Sequence, residues 1–257
     1  IIPVMVDGKI VFRTLSGVRV VDAATGELIW ETEDRISAED IHSGESRPAY
    51  RRVRGRRMFA AGFRGHVEQP GEQNRLSHLL FEDANYGIVS SDGARLFVIE
   101  ELAILTKMPQ QYWNNSESAI DNLGQDWTSN KIVAYELRSG RPLWEVGGTL
   151  HGDVFELPLA GTFFHGAPVA DGGELFVVGE KDRLIELFCL DAATGDVKWR
   201  QPIAQATAEI EQDIVRRWYG GQIAVGNGVV VCQTTTGLVA AVERQSHALL
   251  WTTDTAQ

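Results

Sequence analysis

Cysteine is nearly absent: the 257-residue chain carries two, Cys189 and Cys232. They lie far apart, in the apolar stretches FCLD and VVCQT, and neither belongs to a CxxC pair. That excludes a disulfide framework and the usual thiolate metal spacing, and both read as small buried hydrophobes. Long hydrophobic runs are missing too, and none approaches the roughly 18 residues of a membrane-crossing helix. Positive charge is in deficit, with 24 Lys and Arg against 35 Asp and Glu, a net charge of -11. The averaged field of such a surface repels phosphates, which argues against nucleic acid or an anionic membrane as the main partner. No GxSxG, GxxxxGK[ST], GxGxxG or HExxH occurs, so no familiar catalytic signature is present.

What remains is a globular composition, 44% hydrophobic and 23% charged, with room for one large all-β domain or two ordinary ones. The chain opens on Ile1-Ile2-Pro3 and runs straight into strand-like sequence. The expectation is that its natural N-terminus lies further upstream.

The dominant signal is an internal repeat. An eleven-residue unit occurs four times: VVDAATGELIW (20–30), AYELRSGRPLW (134–144), CLDAATGDVKW (189–199) and AVERQSHALLW (241–251). Each has an acid third, Thr or Ser sixth and Trp eleventh; Gly is seventh in three, and His247 replaces it in the last. Alternation in the first residues gives a strand, and D-x-x-[ST]-G turns the chain. The acid and hydroxyl can accept backbone N–H bonds there, while Gly26, Gly140 and Gly195 supply a positive φ. A second strand then runs to the Trp. Upstream of each unit lies a hairpin signal: Asp7-Gly8, Asp92-Gly93, Asp171-Gly172 and Asn227-Gly228, each between apolar runs. Each repeat thus supplies four antiparallel strands, A to D, the sequence form of a propeller blade. Successive Trp residues are 114, 55 and 52 apart, so the first interval holds either a lost repeat or long insertions.

This A-x-D-x-x-T-G-x-x-x-W unit resembles the tryptophan-docking motif of pyrroloquinoline-quinone-type (PQQ-like) propellers. It is also similar to the repeats of the lipoprotein serving outer-membrane barrel assembly and of large bacterial envelope proteins. The resemblance implies an all-β, PQQ-like propeller. It also implies that Trp30, Trp144, Trp199 and Trp251 pack against neighbouring blades, over small seats at Ala134, Cys189 and Ala241. Val20 and His247 depart from that pattern.

The whole chain, 1–257, reads as one propeller segment with blades at about 1–31, 86–146, 166–201 and 220–253. Family rings close with more blades, so a half-ring would leave two apolar faces open. Either the chain is part of a longer one, or a second copy completes the ring, or four blades close compactly. The insertions, 32–85, 101–130, 147–165 and 202–219, all fall on the face of the B–C and D–A connections, and long loops are usually kept for function.

Three features on those insertions are candidates for binding. Arg51, Arg52, Arg54, Arg56 and Arg57 form a basic cluster, read either as an anion contact or as a solvated loop facing the acidic body. Trp113 and Trp127 sit in polar, aromatic sequence that suits a glycan or peptide, or anchors the loop. His151, Asp153 and His165 could ligate zinc but read better as structural residues, and Asp121, Asn122 and Asp126 do not match a calcium loop. Residues 74–83, with Leu76, Leu79 and Leu80, read as a short helix, and 206–218 as an amphipathic helix with Ile210, Ile214 and Trp218 on one stripe.

Quinone-dependent dehydrogenases of this fold use a vicinal disulfide, calcium and an Asp. Cys189 and Cys232 are not adjacent, and no such acid set maps here. The resulting expectation is a non-catalytic scaffold, with no cofactor and no metal, that presents its insertion face to a protein or glycan. The resemblance places it in the periplasm or cell envelope. The alternative is a domain of a quinone-dependent oxidoreductase whose active residues lie outside this segment.

Overall fold

The computed structural model describes residues 2–14, 17–32, 88–101, 128–150, 156–210, 212–213 and 215–255. They form four sheets of four strands, each a simple antiparallel meander. The first blade comprises β1 (Val4–Val6), β2 (Lys9–Arg13), β3 (Val18–Asp22) and β4 (Leu28–Glu31). The second comprises β5 (Val89–Ser91), β6 (Arg95–Glu101), β7 (Asn130–Glu136) and β8 (Pro142–Gly147). The third comprises β9 (Phe163–Asp171), β10 (Glu174–Lys181), β11 (Leu184–Asp191) and β12 (Val197–Gln205). The fourth comprises β13 (Gln222–Gly226), β14 (Val229–Gln233), β15 (Leu238–Glu243) and β16 (Leu249–Asp254). The fold is the PQQ-like propeller expected, in four blades.

The turn chemistry follows the repeat. In all four units the sixth-position hydroxyl accepts a backbone N–H two residues on: Glu27 to Thr25, Arg141 to Ser139, Asp196 to Thr194 and Ala248 to Ser246. Asp22 and Asp191 each accept two further N–H bonds, from Ala24 and Thr25 and from Ala193 and Thr194. Those N–H groups, Thr25 foremost, hold the Asp22 carboxyl below its ordinary pKa. Three hairpin turns fall on the residues expected, with φ of 47° and 68° at Asp7 and Gly8 and 51° and 76° at Asn227 and Gly228, and with Gly93 at 91°. The third-blade turn lies one residue later, on Gly172 and Gly173 rather than Asp171-Gly172, because Asp171 pairs with Glu174.

A bulge that no sequence pattern announces recurs at one place in every blade. Strand D skips a residue just before the Trp, so the first residue of each unit faces that Trp across the ladder. The pairs are Val20 with Trp30, Ala134 with Trp144, Cys189 with Trp199 and Ala241 with Trp251. The extra residue re-aims the ring out of the strand and toward the next blade.

Three apolar clusters fill the joints between consecutive blades. Val11, Val18 and Val20 meet Leu96, Val98, Tyr135 and Leu137 between the first and second. Phe97 and Ile132 meet Phe164, Leu175 and Leu190 between the second and third. Phe176, Val178 and Leu187 meet Val230, Cys232 and Val242 between the third and fourth. The A strands β5, β9 and β13 lie against one another on the inner side.

The connection from β12 to β13 corrects one expectation. Residues 206–218 are not one amphipathic helix; β12 runs on to Gln205, and among the described residues of the segment one turn, α1 (Val215–Trp218), is helical. Ala206 N–H donates to Arg183 O, which keeps the start of the segment with the sheet. Burial of Arg216 and Arg217, which a helix with an Ile and Trp stripe would have turned outward, fixes the rest. The expected helix at 74–83 lies outside the described residues.

Candidate functional site

The tryptophans organise the joints. Trp30 Nε1 donates to Leu137 O at 2.8 Å, and its ring covers Gly140, where a Cβ would lie 2.5 Å from a ring carbon. Trp144 repeats this one blade later, donating to Ala192 O at 3.2 Å and covering Gly195 at 2.7 Å. Gly is needed at both positions for its bare backbone as well as its φ. Trp30 meets the second blade directly, so no other blade stands between the first and the second. At the third joint His247 keeps the left-handed φ, 62°, and offers its ring instead of a bare backbone. Trp199 stacks on it at 4.6 Å and 20°. Trp251 is 48% exposed, and nothing described lies within 4 Å of where a Cβ of Gly26 would be.

Long connections leave and re-enter the blades on a single face. Its rim can be followed from pairings between neighbouring blades: Arg13 Nη1 donates to Ile99 O at 3.1 Å, and Asn130 brackets Phe164. Asn130 Oδ1 accepts the Phe164 N–H at 2.7 Å while Nδ2 donates to Phe164 O at 3.0 Å. That amide imitates a strand neighbour and ties the start of β7 to the start of β9. Gly148 N–H donates to Asn130 O and Gly161 N–H to Gly148 O, so the loop between β8 and β9 is pinned along the same rim. On the opposite face the third and fourth blades are tied by Arg244. It donates to Asp171 Oδ2 at 2.5 Å and Glu174 Oε2 at 2.6 Å and lies over the Phe176 ring.

Beside the Asn130 clamp lies a buried polar cluster. His165 and Glu180 are on neighbouring strands, β9 and β10, with side chains 0% and 2% exposed. Arg216, from α1, is 6% exposed; it donates through Nη1 to Glu180 Oε2, through Nη2 to Ala208 O at 2.5 Å and through Nε to Asp213 Oδ2 at 3.2 Å. Arg217 lies 4.6 Å from the Phe163 ring centroid, and Phe163 lies 5.0 Å from the His165 ring. His165 Nε2 is 3.4 Å from Glu180 Oε2, and neither ring nitrogen has a hydrogen-bond partner among the described residues. Burial pushes the imidazole pKa down, outweighing the pull of Glu180 the other way. A neutral His beside a carboxylate already held by a guanidinium is a structural tie between a connection and the sheet. It offers no nucleophile and no metal set: among the described residues no three His, Cys, Asp or Glu converge on an ion site. Both thiols are pushed up to about 12, chiefly by burial, so neither is a reactive thiolate.

Of the binding residues proposed from sequence, His165 alone is described, and it is interior. Arg51, Arg52, Arg54, Arg56, Arg57, Trp113, Trp127 and His151, with Asp153, lie outside the described residues. Sequence reading missed Asn130, Glu180, Arg216 and Arg217. Glu180 and Asn130 look like ordinary strand ends, and the helical stripe hid the arginines.

Comparison with known proteins follows the same lines. Residues 128–257, just over half the chain, match the family model described as outer membrane protein assembly factor BamB. No curated protein matches the chain. Among solved structures, BamB from Moraxella catarrhalis is similar at 14% identity and a TM-score of 0.49, over 97% of this chain and 51% of that one. Quinohemoprotein alcohol dehydrogenase from Comamonas testosteroni is similar at 14% identity and a TM-score of 0.49, over 98% of this chain and 34% of that one. A quinohemoprotein alcohol dehydrogenase from Pseudomonas putida HK5 gives 14% identity and 0.47, over 98% and 33%. The chain spans about half the length of that BamB, 51%, and about a third of either dehydrogenase, 34% and 33%.

Proposed function

The chain belongs to the family of outer membrane protein assembly factor BamB, and from that membership we propose that it is a non-catalytic propeller scaffold of the bacterial envelope. In this reading the face bearing the long connections receives a protein or glycan partner. Trp30, Trp144 and Trp199 hold successive blades together and keep that face rigid. The candidates for contact are the Arg51–Arg57 cluster and the Trp113 and Trp127 rings.

One observation carries the reading: the connections all emerge on the same rim, and that rim is fastened by dedicated side chains. Asn130 bonds both backbone groups of Phe164, and Arg216 fastens the β12–β13 connection to Glu180. Loops on a rigid frame are a common way to build a recognition surface. In the cluster beneath them Arg216 bonds Glu180 Oε2, Asp213 and Ala208 O, a structural tie that supports binding over catalysis.

Replacing 102–127 by a short Gly-Ser linker tests the proposal, since it leaves β6 and Asn130 in place. Crosslinking in an envelope extract, and binding to immobilised glycans, should lose the wild-type partner while the melting transition stays put. Undiminished capture of the same partner would falsify the role given to this face.

A further inference from the structure

We propose that the connection from β12 to β13 is an acid-released strap: protonation of His165 beneath it frees α1 from the third blade while the sheets stay intact. The device is built from residues between Phe163 and Gly221, and it stands whatever partner the face receives. Backbone anchors the connection at both ends. At its start Ala206 N–H donates to Arg183 O at 2.8 Å. At its end Gly221 packs so closely that a Cβ on Gly166 would lie 1.9 Å from Gly221 O, and a Cβ on Gly221 would lie 2.9 Å from His165 O. Between these anchors Arg216 fastens α1 to β10, its Nη1 donating to Glu180 Oε2. The remaining bonds of that guanidinium turn back on the connection itself, to Ala208 O and Asp213 Oδ2. The Arg183–Glu209 pair near the start is exposed, whereas the Arg216–Glu180 pair is buried.

His165 shares that carboxylate without bonding it. Its Nε2 lies 3.4 Å from Glu180 Oε2, the oxygen that Arg216 already occupies, and its side chain is buried. Both ring nitrogens and Glu180 Oε1 lack a hydrogen-bond partner among the described residues. A neutral imidazole is tolerated there at some cost. A charged one would make three cations, with Arg216 and Arg217, around one buried carboxylate. Burial pushes the imidazole pKa down, and the two guanidinium groups add to that push against the pull of Glu180. Of the other elements packed on β9, β5 and β13 carry no charged residue. On β6 Arg95 is paired with Asp92 and Glu100 accepts from Tyr135 Oη; on β7 Lys131 is paired with Glu145 and Glu136 accepts from Ser139.

Lifting α1 lets water reach the imidazole and separates it from the guanidinium groups. The opened form then takes a proton at the ordinary histidine pKa of about 6.5, which the closed form resists. Acid therefore favours opening, and from pH 7.5 to 5 the opened population rises by up to ~30-fold. The ladders of the third blade are made by backbone groups that do not titrate, so the release is confined to the strap.

The experiment is native-state hydrogen exchange of the 257-residue protein at pH 7.5, 6.5 and 5, corrected for the intrinsic pH dependence of amide exchange. The amides of α1 should lose protection by ~10–30-fold from pH 7.5 to 5. At pH 5 their exchange should stay indifferent to low concentrations of urea, the mark of a local opening, while that of β11 accelerates with urea as global unfolding does. His165→Gln, which cannot take the proton, should hold the protection of α1 constant across the range. His165→Asn is the same non-titrating control should the glutamine variant fail to fold. Exchange of α1 with the rate and urea dependence of β11 would overturn the proposal, since the strap would then open only when the whole protein does. So would protection of α1 that stays constant or rises on acidification, or a loss that persists in the non-titrating variant.

Discussion

Trp144 makes the residue-scale case most directly, because its ring touches a backbone that only glycine leaves bare. Truncating it removes a large aromatic and opens a void against Gly195 and Phe97. Trp144→Ala should cost about 3–5 kcal/mol in urea unfolding. W251A, which truncates a half-exposed ring, should stay within about 0.5 kcal/mol of wild type. Equal losses in the two would remove the distinction between matched and unmatched rings. His165 supplies a pH dependence. Its folded pKa is depressed by burial, so the unfolded chain binds a proton first as pH falls. Stability is therefore complete above the ordinary histidine pKa of about 6.5 and declines below it. His165→Gln should flatten the fall in denaturation midpoint between about pH 7.5 and 5; an unchanged slope would mean that another group sets it.

At the scale of elements, the connections matter more than the strands. A four-stranded meander needs little beyond alternation and turns, and the repeats supply both. Where the connections are described, polar ties join them to the blades: Arg216 to Glu180, and Gly148 N–H to Asn130 O. Glu180 and Arg216 illustrate the cost of such a tie. Glu180→Ala should destabilise by about 3 kcal/mol, because it removes the buried carboxylate from Arg216 and leaves only the partly exposed Asp213 as its counter-charge. A double variant, Glu180→Leu with Arg216→Met, should recover most of that loss, since an apolar pair of similar volume strands no charge. Chemical denaturation of the three proteins decides the matter, and a double variant as weak as the single one would show that the tie contributes specific geometry.

At the scale of the molecule, the arrangement is an arc of four blades with one plain face and one face of connections. Trp30 meets the second blade without an intermediary, so the first joint is made without the segment between those blades. Replacing 34–86 by a short flexible linker should therefore keep a single cooperative transition, with a stability change on the order of 1 kcal/mol from loop closure. Loss of cooperativity, seen as two transitions in calorimetry, would show that the first blade depends on that segment. The acidic balance of the whole chain, -11, gives an averaged field that repels polyanions.

The sequence by itself determined the blade: strand alternation, the acid and hydroxyl of the turn, the glycine and the terminal Trp are local requirements, and each was legible in four copies. It also placed the long connections on one face, since antiparallel order alone dictates where each loop emerges. Only the tertiary structure decided which glycine each Trp covers, that His247 answers Trp199 with a stacked ring, and that the residue before each Trp bulges. It also decided that Arg216 and Arg217 turn inward where helical periodicity pointed them out. Asn130, Glu180 and His165 come together from three strands in two blades, and no spacing along the chain encodes a contact between them. The division has one cause: turns and pleats are settled by neighbours in sequence, whereas burial of a charge or a ring is settled by whichever blade arrives beside it.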